Sequence, residues 1–251
     1  MSENKMGVWR ALFGWIDQPR KTLRYVIENP SWPVRLAPVL VILVSLVVVT
    51  AVSTPLLSEV SRQQAEEQIE AQMGSLSGED AEQVRRSLDT FTSPLFLGVT
   101  AIAIGTLGLV LTWLFRGAVL FLISYLFGTD NRYIQMVTVV LWTWLPFALR
   151  DVVQAIYVVL NGQLVVHRGL SFLVASSDQA QHAGNLLYGL LSQVDVFLVW
   201  HLVLVAIALT VSTRSTTLKT ALGTVGYWAV TAVVGLAPTL LGTLVGRSFV
   251  G

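Results

Sequence analysis

Five ionisable side chains, Arg116, Arg150, Asp151, Asp195 and His201, fall within or beside long stretches that are otherwise almost free of charge. An ion held in hydrocarbon costs about 2.5–3.5 kcal/mol on insertion scales, so such groups face a partner or a cavity. A guanidinium and a carboxylate at one depth have two uses. They lock two helices as an ion pair, or they hold a coupling ion or substrate. Arg150 and Asp195 form the candidate intramembrane polar pair, while Arg116 and Asp151 are candidate charges facing the interior of a bundle. Snorkelling to the interface is the third use open to long basic side chains. His201 sits beside Trp200, and the remaining histidines, His167 and His182, share one loop. No metal triad assembles from them, and a hydrogen-bonded core histidine is the expectation for His201. Gly-x-Ser-x-Gly, His-Glu-x-x-His and glycine-rich phosphate-loop patterns are absent. Cysteine is absent too, which removes disulfides, thiolate metal sites and cysteine nucleophiles. The expectation is a protein without catalytic residues, cofactor or metal.

The elements that position these charges follow from hydropathy. The chain is 54% hydrophobic and 12% charged, whereas a soluble domain carries about 25% charged residues. So little charge cannot clothe a water-facing surface, so much of the exterior must meet lipid. With a net charge of +1, nucleic acid is not an expected partner. The fold class expected is all-α, a polytopic transmembrane helical bundle of about five spans. Residues 1–35 form a basic amphipathic segment with an aromatic stretch suited to the headgroup layer. Within it, Asp17 is placed to cap a second short helix that starts near Pro19, and Pro30 to Pro33 should stop that helix. Span one covers 36–57, too long a run for the apolar core of a cleaved signal. Residues 58–93 are acidic and read as an extracytoplasmic helical hairpin turning at 73–78, where Ser77 and Asp80 carry a capping signature.

The run 94–128 is interrupted only by Arg116. As one helix it would reach roughly 50 Å, beyond a core near 30 Å, so a single long, tilted or projecting span two is expected. Span three covers 133–160 and contains Pro146, residues 161–189 form an outer loop, and spans four and five cover 190–211 and 220–246. Basic residues near span ends set orientation. They concentrate in 1–35 and at Arg132, Arg214 and Lys219, which puts the N-terminus inside and the C-terminus outside. Small residues Gly98, Ala101, Gly105, Gly108 and Thr112 recur every three or four positions, a candidate helix-packing face leading to Arg116. Gly242 and Gly246 make a GxxxG in span five, which is compatible with a homo-oligomer.

Several short segments resemble one family. They are Asp17-Gln18-Pro19-Arg20-Lys21-Thr22-Leu23-Arg24, then Glu28-Asn29-Pro30-Ser31-Trp32, the Leu145-Pro146 step, and Asp195-Val196-Phe197-Leu198-Val199-Trp200 before an apolar span ending in a Ser/Thr-rich turn. Together they resemble bacterial members of the Yip family, the Ypt/Rab-interacting membrane proteins, over nearly the whole chain. The resemblance implies five spans, an inside N-terminus and an outside C-terminus, and it supplies no catalytic residues. Eukaryotic members are linked to vesicle traffic and small GTPases through a long cytosolic N-terminal region, whereas only residues 1–35 precede the first span here. Some bacterial members are similar to accessory subunits beside ABC-type exporters. A multi-pass protein of the bacterial inner (cytoplasmic) membrane is therefore expected. Its partners would be the lipid bilayer and another membrane protein, in a scaffold or accessory role. A small channel or transporter working through the intramembrane Arg and Asp residues is the alternative.

Overall fold

The computed structural model describes residues 7–72, 78–176 and 185–237. Within them the chain is helical and has no strand. The helices are α1 (Val8–Asp17), α2 (Pro19–Glu28), α3 (Trp32–Gln72), α4 (Gly78–Phe91), α5 (Pro94–Leu126), α6 (Tyr133–Thr143), α7 (Leu145–Asn161), α8 (Leu186–Leu191), α9 (Val196–Thr213) and α10 (Thr217–Gly235). Four stretches are long and apolar enough to cross a membrane: Trp32–Glu67, Pro94–Leu126, Tyr133–Asn161 and Val196–Thr213. The chain is thus an all-α, multi-pass membrane protein. The stretch expected as span five is described only as far as residue 237, so Gly242 and Gly246 lie outside the described residues. So do His182, the hairpin turn at 73–77 and its Ser77 capping signature.

One local expectation is corrected. Asp17 does not cap the second helix; it is the last residue of α1, and Gln18 is the N-cap of α2 without a side-chain capping bond. Proline suits the first helical turn because its missing N–H would be unpaired there anyway, and Pro19 takes that place in α2. The same logic lets α3 begin at Trp32 with Pro33 in its first turn, instead of waiting for the apolar run that starts at Leu36. At its other end α3 continues without a break to Gln72, so the apolar run and the first helical stretch after it are one element.

The chain divides into two compact units, one of residues 1–42, 111–148 and 166–251 and the other of 43–110 and 149–165. In the first, α2 packs on α9 and α6, α9 also packs on α6 and α10, and α1 lies against α2. Leu23, Val26, Val34, Leu120, Met136, Val139, Trp142, Leu204 and Leu209 form its core. Gly117 allows α5 to approach α6 closely, since a Cβ there would stand 2.5 Å from the Val137 side chain and 3.0 Å from its backbone. Gly128, with φ of 77°, turns the chain out of α5 in the left-handed conformation that glycine adopts without strain. Ser124, Thr129 and Asn131 tie that turn together through their side chains. In the second unit, the Ser58 hydroxyl donates to the Thr92 carbonyl, and Arg62 lies 3.8 Å from Asp89, joining α3 to α4. Leu95, Val99, Ile104 and Leu107 on α5 are exposed. A contiguous apolar flank of that kind is stable against lipid and not against water.

One bond explains how a proline sits inside the first span. A helical carbonyl accepts from the N–H four residues on. For Val34 that residue is Pro38, which has no N–H. The fully buried Trp142 of α6 supplies the missing donor, its indole Nε1 donating to the Val34 carbonyl at 2.8 Å. Replacing Trp142 by Phe keeps much of the volume but leaves that carbonyl bare, at an expected cost of about 1–3 kcal/mol. The measurement is the apparent melting temperature in detergent. With Pro38→Ala an N–H returns at the right place, so the same Trp142→Phe change should then cost clearly less. An equal loss in both backgrounds would remove this account of the bond.

Candidate functional site

The α6–α7 junction sets up the site. Pro146 cannot donate, and the helix breaks at Trp144. The Phe147 N–H, which would serve the Thr143 carbonyl in an unbroken helix, bonds the Trp144 carbonyl at 2.9 Å instead. The Thr143 carbonyl is thereby left facing α9, where His201 Nδ1 meets it at 2.6 Å. A carbonyl only accepts, so Nδ1 carries the hydrogen and Nε2 presents its lone pair. Tyr227 of α10 brings its hydroxyl to that Nε2 at 3.0 Å. His201 and Tyr227 are both fully buried.

Arg116 of α5 completes the cluster. Its guanidinium lies 3.4 Å from the Tyr227 hydroxyl and 3.5 Å from His201 Nε2. It also stands over the Trp144 ring at 4.9 Å and the Tyr227 ring at 5.7 Å. Cation–π contacts strengthen as water leaves, which suits a half-buried arginine in a span. Among the described residues no carboxylate lies within ion-pair distance of Arg116. The arrangement is consistent with one direction of donation. Arg116 donates to the tyrosine oxygen, the hydroxyl donates to Nε2, and Nδ1–H donates to the backbone. The chain of bonds starts on a cation and ends on a carbonyl, and it ties α5, the α6–α7 break, α9 and α10 together. It contains neither an activated nucleophile nor a carboxylate to orient the imidazole for proton transfer. Among the described residues no group of His, Asp and Glu could hold a metal ion.

The other sequence candidates are placed as follows. Asp195 is the N-cap of α9, its carboxylate accepting the Leu198 N–H at 2.7 Å. Arg150 and Asp151 are neighbours in the second turn of α7, with Nε to carboxylate at 4.0 Å, and Asp151 also accepts from Ser45 of α3 at 3.4 Å. Arg150 and Asp195 belong to different units. On the small-residue stripe, Gly98 lies against Thr54 and Gly105 against Leu46, both on α3. Ala101 and Gly108 are exposed. Tyr227, Thr143 and Trp144 were not singled out from the sequence. The available signal was Pro146, which disturbs the backbone bonds of the preceding turn and so calls for a side-chain donor nearby.

Tyr227→Phe, Arg116→Met and the double variant test the cluster through their melting temperatures. Interhelical bonds in membranes couple by about 0.6–1.7 kcal/mol. A non-additive loss of that size between the two single changes is expected. Strict additivity would show that the arginine and the tyrosine do not act together.

Comparison with known proteins agrees with this architecture in one respect and is silent in two. The model of the Yip1 domain matches residues 13–237. No curated protein and no solved structure matches the chain.

Proposed function

Since the chain belongs to the Yip family, we propose that it is a non-enzymatic scaffold or accessory subunit within a larger membrane complex, such as an ABC-type exporter or membrane-trafficking machinery. The observation that carries this reading is the closed bonding of the intramembrane cluster. His201 uses both ring nitrogens and Tyr227 its hydroxyl on one another, on Arg116 and on the backbone. A cluster so occupied fixes helices and leaves no reactive atom for a substrate. The acidic hairpin and the basic N-terminal helices offer partners two surfaces of opposite charge. Five spans in the cytoplasmic membrane of a bacterium, with the N-terminus inside and the C-terminus outside, complete the proposal.

A second reading has a specific support: among the described residues no carboxylate pairs with Arg116, and a cation in a span held only by neutral partners suits an anion pathway. Two measurements separate the readings. Mild solubilisation of native membranes should recover the chain with a stoichiometric membrane partner, and its recovery alone under several gentle conditions would count against the scaffold. Anion flux into proteoliposomes of the purified chain should equal that of empty vesicles. Flux that disappears with Arg116→Met would favour the pathway.

Orientation has its own test, helped by the absence of natural cysteine. Single cysteines placed at Ser2 and at Glu82 should be labelled by an impermeant maleimide from opposite sides of the membrane. Labelling of both from one side would reject the topology.

A further inference from the structure

A cavity of about 560 Å³ opens between α2 and the end of α9. Its walls are Arg20, Arg24, Ile27 and Glu28 from one helix, and Thr210, Val211 and Arg214 from the other. Arg20, Arg24 and Glu28 repeat every four residues, so one face of α2 presents them together. Glu28 is the one acid in the lining, and among the described residues none of the three arginines is ion-paired. Three guanidiniums around one concavity repel each other unless an anion joins them. Each offers the flat pair of donors that matches a phosphate oxygen pair.

Arg214 adds a second, independent sign. It is the one residue other than glycine with positive φ among the described residues, at φ 49° and ψ 28°. Glycine or asparagine is the ordinary choice at such a helix end, since a Cβ is strained there. A strained backbone kept in place points to a use for the side chain it carries. The use is electrostatic. The carbonyl end of α9 repels anions, and Arg214 reverses the sign of the field at that wall.

The neighbouring helix identifies where the anion comes from. Trp15 of α1 packs on Trp200 of α9 with ring centroids 4.7 Å apart, so α1 docks alongside a membrane helix. Trp9, Phe13 and Ile16 on its other face are exposed, at 80%, 74% and 57%. An exposed aromatic and aliphatic face of that kind suits lipid, and α2 with Arg20 and Arg24 begins after one intervening residue beyond the end of α1. Acyl contact beside a basic concavity is the pattern of a lipid site. We propose that this cavity holds the phosphate headgroup of an anionic phospholipid, gripped by Arg20, Arg24 and Arg214. The proposal is independent of whether the chain acts as a scaffold or a pathway.

The test uses the full chain in nanodiscs of phosphatidylcholine alone, or with a fifth of the lipid replaced by phosphatidylglycerol or cardiolipin. The anionic lipids should raise the melting temperature by several degrees and remain bound in native mass spectrometry. The paired change R20Q/R24Q should melt like the native chain in phosphatidylcholine yet lose the shift. R214G should melt at or above the native chain there, because strain is relieved, while retaining anionic lipid about tenfold less well. Millimolar inorganic phosphate added to phosphatidylcholine nanodiscs should give no shift. An equal shift with inorganic phosphate would overturn the lipid assignment in favour of a free anion. A lipid shift that survives both variants would overturn the site itself.

Discussion

Inside a bilayer no water is at hand to serve a backbone carbonyl, and each one must find a donor within the protein. Prolines in spans make that demand local, because each deprives the carbonyl four residues before it of its partner. This chain meets the demand with long-range donors. The indole of Trp142 serves Val34, and the imidazole of His201 serves Thr143 at the break before Pro146. Both donors are fully buried, and both bonds reach across from another helix. Two links between helices of the first unit thus rest on open carbonyls, one left by Pro38 directly and one by the helix break beside Pro146.

The second of these bonds also explains how a cation is tolerated. Once Nδ1 is committed to Thr143, Nε2 can only accept, so it joins the Tyr227 hydroxyl as a polar group next to Arg116. Two aromatic faces complete the surroundings of the guanidinium. A carboxylate would give more attraction but would need its own desolvation repaid. Neutral acceptors and ring faces keep the charge without adding a second one. A backbone detail at Pro146 thus settles the electrostatics of a side chain on another helix.

The class of the protein was legible because composition and long apolar runs constrain it directly: helices are the only way such runs can cross lipid with their backbone satisfied. The family was legible from short motifs around Asp17, Pro30, Leu145 and Asp195, and the match over residues 13–237 agrees with them. The partners of the buried cluster were not. Tyr227 lies in a stretch free of acids and looks like any interfacial aromatic, and nothing local says that it meets a histidine 26 residues earlier. Helix ends were also obscure. Asp17 has the side chain of a cap, but the preceding helix runs through it, and Gln18 takes the position because Pro19 defines the next first turn. Likewise the polarity change near residue 58 looks like the end of a span, yet helix formation depends on backbone bonds and not on hydropathy, so α3 continues to Gln72.

The bond between Val34 and Trp142 joins residues 108 positions apart. A ribosome adding about 5–20 residues per second needs roughly 5–20 seconds to make that interval. Throughout it, the first span is in place while its open carbonyl has no indole to receive. The first span therefore settles finally only when the third arrives, and the nascent chain is assembled by a late donor closing an early gap.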